Sequence, residues 1–95
     1  MKNEIFNDYV ERIVGLYKIP KEEIFSKIKR TDVVDARQML FYLCNRRNIS
    51  HTQIKRYLID EGLEMTISTI LHGIKVMEEK ISNDSDYKQI INKIK

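Results

Sequence analysis

Ninety-five residues with 42% apolar and 33% charged side chains make one domain's worth of chain, able to bury somewhat over ~60% of its unfolded surface. The lone cysteine, Cys44, excludes a disulfide scaffold and points to a reducing compartment, and no apolar run approaches the roughly 20 residues that span a bilayer. The stretch Met1-Lys2-Asn3-Glu4 leads into mixed charged and apolar residues and not into a signal-peptide core, so a cytoplasmic protein is expected.

In chain order, Ile5, Phe6, Tyr9, Val10, Ile13, Val14 and Tyr17 recur at spacings of three and four and predict an amphipathic helix over residues 4 to 17. Lys18-Ile19-Pro20 ends it. Pro20 suits the first position of a short helix, followed by Glu22 and Glu23 near its N-terminus and by Ile24 and Phe25 as anchors. Residues 26 to 31 form a basic connector. Thr31 or Asp32 is the expected cap of a third helix running to about Arg47, with Val33, Val34, Ala36, Leu40, Leu43 and Cys44 inward. Asn48 fits a left-handed cap position. Ser50-His51-Thr52-Gln53 has the form of a capping box and starts a helix with Ile54, Tyr57 and Leu58 on its apolar side, ending near Gly62. After Leu63-Glu64-Met65-Thr66, a helix starts at Thr66 or Ser68 and carries Ile67, Ile70, Leu71, Ile74 and Met77 to about Ile81. A polar break at residues 82–85 precedes a last helix with Tyr87, Ile90, Ile91 and Ile94 on one side. With no hairpin signal, repeat or linker, the expectation is a single all-α domain over residues 1–95.

Charge is segregated. From Lys27 to Arg56 there are eight basic residues against Asp32 and Asp35, a net of +6, whereas the segments on either side are slightly acidic. A solvated face explains such a run as readily as a polyanionic partner does. The pair of helices at about 51–60 and 66–81, joined by a tight connection, has the pattern of a helix-turn-helix, whose second helix enters the major groove by its N-terminal residues. Thr66, Ser68 and Thr69 occupy that place, and their hydroxyls and methyls suit base edges.

The order of elements meets a family. Tyr17-Lys18-Ile19-Pro20, Ile24-Phe25-Ser26-Lys27, Val33-Val34-Asp35-Ala36-Arg37-Gln38-Met39, Tyr42-Leu43 and Thr69-Ile70-Leu71-His72-Gly73-Ile74 resemble the C-terminal DNA-binding domain of the bacterial replication initiator DnaA. The resemblance implies a six-helix domain related to the tryptophan repressor, containing a helix-turn-helix. It also implies a basic loop that enters the minor groove, for which Lys27, Lys29 and Arg30 are the counterparts. The family's base-reading turn runs Gly-Gly-Arg-Asp-His-Ser/Thr-Thr-Val. Here Leu63-Glu64-Met65-Thr66-Ile67-Ser68-Thr69-Ile70 keeps only the hydroxyl pair, so weak preference for the family's own box is expected.

Arg37, Arg46, Arg47, Ser50, His51, Lys55 and Arg56 are the remaining candidates for phosphate contacts. Arg37 has the alternative of pairing with Asp32 or Asp35, and His72 is read either at a phosphate or over the core. Cys44, His51 and His72 show no zinc spacing, no catalytic pair stands out, and three isolated glycines cannot form a nucleotide-binding Gly-x-x-x-x-Gly-Lys-Ser/Thr loop. The expectation is therefore a freestanding double-stranded DNA binder without catalysis, metal or cofactor, acting in replication or transcription. The rival reading is a protein-interaction module that keeps the fold and has lost specific DNA binding.

Overall fold

A computed structural model describes residues 2–94; Met1, where the amino-terminal reading begins, and Lys95 lie outside the described residues. Six helices follow in chain order: α1 (Lys2–Tyr17), α2 (Lys21–Ile24), α3 (Thr31–Arg46), α4 (His51–Asp60), α5 (Ile67–Asn83) and α6 (Ser85–Ile94), with no strand among the described residues. The all-α, six-helix expectation holds, and the architecture is consistent with the DnaA-like helical bundle. None of these helices is long and apolar enough to cross a membrane.

The helix ends explain how the chain turns so tightly. At the end of α3, Asn48 takes the left-handed conformation (φ 61°); its N–H donates to the Asn45 carbonyl and that of Ile49 to Cys44. The end of α4 repeats the motif with Gly62 at φ 90°: Gly62 donates to Ile59 and Leu63 to Leu58. In both, the residue after the left-handed one is driven inward, Ile49 and Leu63 being fully buried. Ser50 caps α4 by accepting from the Gln53 amide at 3.2 Å. The start of α3 departs from expectation. Its cap is Arg30, with no side-chain bond to the helix; the Asp32 carboxylate instead accepts from the adjacent Val33 amide and from the Arg30 guanidinium.

Helix α3 is the centre of the molecule and packs against α1, α2, α4 and α5. Val33, Ala36, Met39, Leu40 and Cys44 are sealed from solvent along it. Gly73 of α5 lets α3 and α5 approach closely, since a Cβ there would stand 3.1 Å from the Phe41 ring and 3.2 Å from Gln38 Cγ. Burial pushes the Cys44 thiol up to about 12, so it stays protonated and apolar at neutral pH.

One polar cluster ties four helices together. The buried Asp35 carboxylate accepts from Tyr17 Oη of α1 at 2.7 Å, from Lys80 Nζ of α5 at 2.7 Å and from Tyr87 Oη of α6 at 2.9 Å. Burial first, and then the bond to Asp35, raise both tyrosines above their ordinary value of 10.0, Tyr87 to about 12 and Tyr17 further. A folded-state pKa above the unfolded one favours the protonated native state. Stability is therefore intact below about pH 9, where unfolded Cys44 begins to ionise, and is lost as pH rises from there through 12. Denaturant melts between pH 8 and 11.5 should show this decline, and Tyr17→Phe should make it shallower. A flat profile would contradict the network.

Candidate nucleic-acid interface

Helices α4 and α5 pack on one another across a six-residue connection, residues 61–66, whose only deeply buried side chain is Leu63. Thr66 is the N-cap of α5. Its Oγ1 accepts from the Thr69 amide at 3.2 Å and lies 3.0 Å from the Thr69 hydroxyl. Two hydroxyl protons are present and one is consumed between them, so the pair offers one donor outward. Ser68 and Thr69 are exposed.

At 3.6 residues per turn, Ser68, Leu71, His72 and Lys75 fall on one stripe of α5, and all four are exposed. His72, expected either at a phosphate or over the core, is exposed at the edge of the α3–α5 groove. Leu71 (42% exposed) and Lys75 are site residues that the sequence expectation lacks, although they stand three and seven residues from Ser68. Beside this stripe runs a groove of about 340 Å³ between α3 and α5. Thr69, His72 and Gly73 line one wall, Val34, Arg37, Gln38 and Phe41 the other, with Met65 and Lys29 at the margins. The groove thus brings the N-terminal part of α5 together with the basic loop, 40 residues distant in sequence.

Within that loop the three cations differ. Lys27 and Lys29 are exposed and make no ion pair among the described residues. Arg30 is also exposed, but its guanidinium is bound to Asp32 at 2.6 Å and to Glu23 at 2.7 Å. Those bonds hold it above the ordinary arginine value and occupy it within the protein.

The expected pairing of Arg37 with an acid requires a correction. Arg37 is 5% exposed and pairs with neither Asp32 nor Asp35. Its Nε donates to the Ile24 carbonyl at 2.7 Å and one Nη to the Ile28 carbonyl, the end of α2 and the middle of the basic loop. The spacing of 13 and 9 residues brings the side chain back over a loop whose carbonyls have no helix to bond them, so the fold uses the donors there. Burial pulls its pKa below the ordinary value.

Ser50 and His51 stand at the start of α4, with Lys55 and Arg56 one turn on; Ser50 and Arg56 are exposed and His51 and Lys55 half-buried. Arg46 and Arg47 end α3 elsewhere, beside Asp8, Tyr9 and Arg12 of α1, and are not brought to the α3–α5 groove. Tyr57 stacks on Phe6 with ring centres 4.8 Å apart and belongs to the core edge. No group of three or more His, Cys, Asp or Glu able to hold a metal occurs among the described residues.

This geometry defines a small helical domain with a cationic loop and a hydroxyl-rich helix start sharing one groove. In sequence it is similar to the chromosomal replication initiator protein DnaA of Flavobacterium psychrophilum, 26% identical over 98 residues, in a match covering 99% of this chain and 19% of that protein. The matched part is the C-terminal one, which supports a DnaA C-terminal-like domain. The chain thus spans about a fifth of the length of that relative. No family model matches, and neither does any solved structure.

Proposed function

We propose that this chain binds double-stranded DNA, with α4 and α5 acting as a helix-turn-helix, and that it works without catalysis in the regulation of replication or transcription. The observation that carries the reading is the shared groove: Thr69 and His72 on α5 and Lys29 on the loop border a single surface. A helix start in the major groove and a lysine loop in the adjacent minor groove need this juxtaposition. Ser68, His72 and the outward hydroxyl of the Thr66–Thr69 pair then meet base edges, and Leu71 suits a thymine methyl. Lys27, Lys29, Ser50, His51, Lys55 and Arg56 hold the backbone, which fixes position and not sequence.

Sequence preference and affinity should therefore separate. Each directional base contact discriminates by ~1–3 kcal/mol, and the turn here offers hydroxyls where the initiator family has charged and imidazole groups. The expected preference for the initiator's box over random duplex is on the order of tenfold or less. Ser68→Ala with His72→Ala should flatten whatever preference a random-pool selection reveals, while leaving most non-specific affinity. The rival reading, docking of a protein on exposed Leu71 and Ile59, predicts no retention on a heparin or DNA column.

A further inference from the structure

Basic side chains occupy two sides of α3, and only one belongs to the groove. The second set lines a cleft of about 280 Å³ where α1 meets the C-terminal ends of α3 and α6, with Arg12, Arg46 and Arg47 around it and Asp8 as its only acid among the described residues. At 3.6 residues per turn, Arg46 and Arg47 are rotated roughly 140° and 120°, in opposite senses, from the groove residue Phe41, and lie beyond it along the axis. Neither arginine lines the α3–α5 groove.

These cations are not all explained by the fold. Arg12 is held by Asp8 at 2.9 Å and caps the carbonyl end of α6 through the Ile94 oxygen. Arg46 rests over the Tyr42 ring at 5.7 Å, and neither it nor Arg47 has an acidic partner among the described residues. Lys88 extends the patch, sharing an adjoining hollow with Arg46.

We propose that this cleft is a second phosphate-binding site that takes the backbone of a second duplex segment, so that one copy of the chain bridges two. The proposal rests on the reading of the α5 face as the first DNA surface. The chemistry on offer selects the ligand. Protein interfaces seat Trp, Tyr and Arg anchors in a well-packed patch with an apolar core. The large exposed apolar residues here, Leu16, Ile28, Ile59 and Leu71, lie outside the cleft, and its floor of Tyr9, Leu43 and Ile94 is already buried at 8%, 3% and 1% exposure. What remains is guanidinium charge, which matches phosphate oxygens in bidentate geometry and gains from counterion release.

The test is capture of a fluorescent duplex by a second, immobilised duplex in the presence of the unmodified protein at low salt. Capture is expected, with sedimentation giving one protein to two duplexes. Arg46→Ala with Arg47→Ala should lower capture at least about fivefold while changing single-duplex affinity less than about twofold. Equal capture by that variant overturns the proposal, as does a two-to-two complex, which would assign bridging to self-association. A parallel loss of single-duplex affinity would place the arginines in the first footprint and also overturn it. So would absent capture by a protein that binds one duplex and whose cleft binds polyglutamate. An unmodified protein that binds no duplex at all would instead remove the underlying reading.

Discussion

Replacing Asp35 with alanine is expected to lower the unfolding free energy by roughly 2–4 kcal/mol, which for a domain of this size is on the order of 10–25 °C in melting temperature. The carboxylate accepts from three donors on three other helices, and its removal leaves Tyr17 Oη, Tyr87 Oη and Lys80 Nζ without their acceptor. Lys80, whose side chain is 37% exposed, turns to water more readily than the half-buried Tyr17, whose hydroxyl is already disfavoured by burial from ionising. Asp35→Asn keeps the shape and one acceptor oxygen but loses the charge, so about half the cost should return with it. Thermal melts of the two variants decide the matter. A loss below about 0.5 kcal/mol for alanine would mean that the cluster contributes nothing beyond what water supplies.

The second large effect is expected at Arg37, in binding more than in stability. Methionine there ends the burial of a charge that has no acid to balance it, and this offsets part of the loss of two hydrogen bonds. The Ile28 carbonyl, on an exposed residue, can return to water. A stability loss of only about 1–2 kcal/mol follows. The loop, however, loses the bonds that fix Lys27 and Lys29 relative to α3, and duplex affinity should fall on the order of tenfold. The diagnostic readout is coupling: Lys29→Ala should weaken binding in the parent protein and have little further effect beside Arg37→Met. Full additivity of the two would show that Arg37 does not act through the loop.

The helices were legible because each rests on local signals. Apolar spacing gave α1 and α3, and Asn48, Ser50 and Gly62 marked ends that the backbone uses as expected. The cap of α3 was missed because Asp32 had a stronger competitor than the helix amides, the guanidinium of Arg30. The Asp35 cluster lies beyond local reading altogether, since its partners are 18, 45 and 52 residues away. Charge counting placed Arg46 and Arg47 with Lys29 because they share a segment. Position along the chain does not say which side of α3 a residue occupies, and the helical twist separates them. Arg37 was ambiguous for a related reason: its carbonyl partners exist only once α2 has ended and the loop has folded over α3.

The salt dependence of duplex binding by the unmodified protein, followed by fluorescence anisotropy, bears most directly on the central claim. With Arg30 held by acids and Arg37 buried, Lys27, Lys29, Lys55, Arg56 and Lys75 remain to neutralise about three to four phosphates. Log affinity should fall with log salt at a slope of roughly −3 to −4, and Lys27→Ala with Lys29→Ala should reduce that slope by up to ~2. No binding at low salt, or a slope unchanged in the double variant, would contradict the assignment of this surface to DNA.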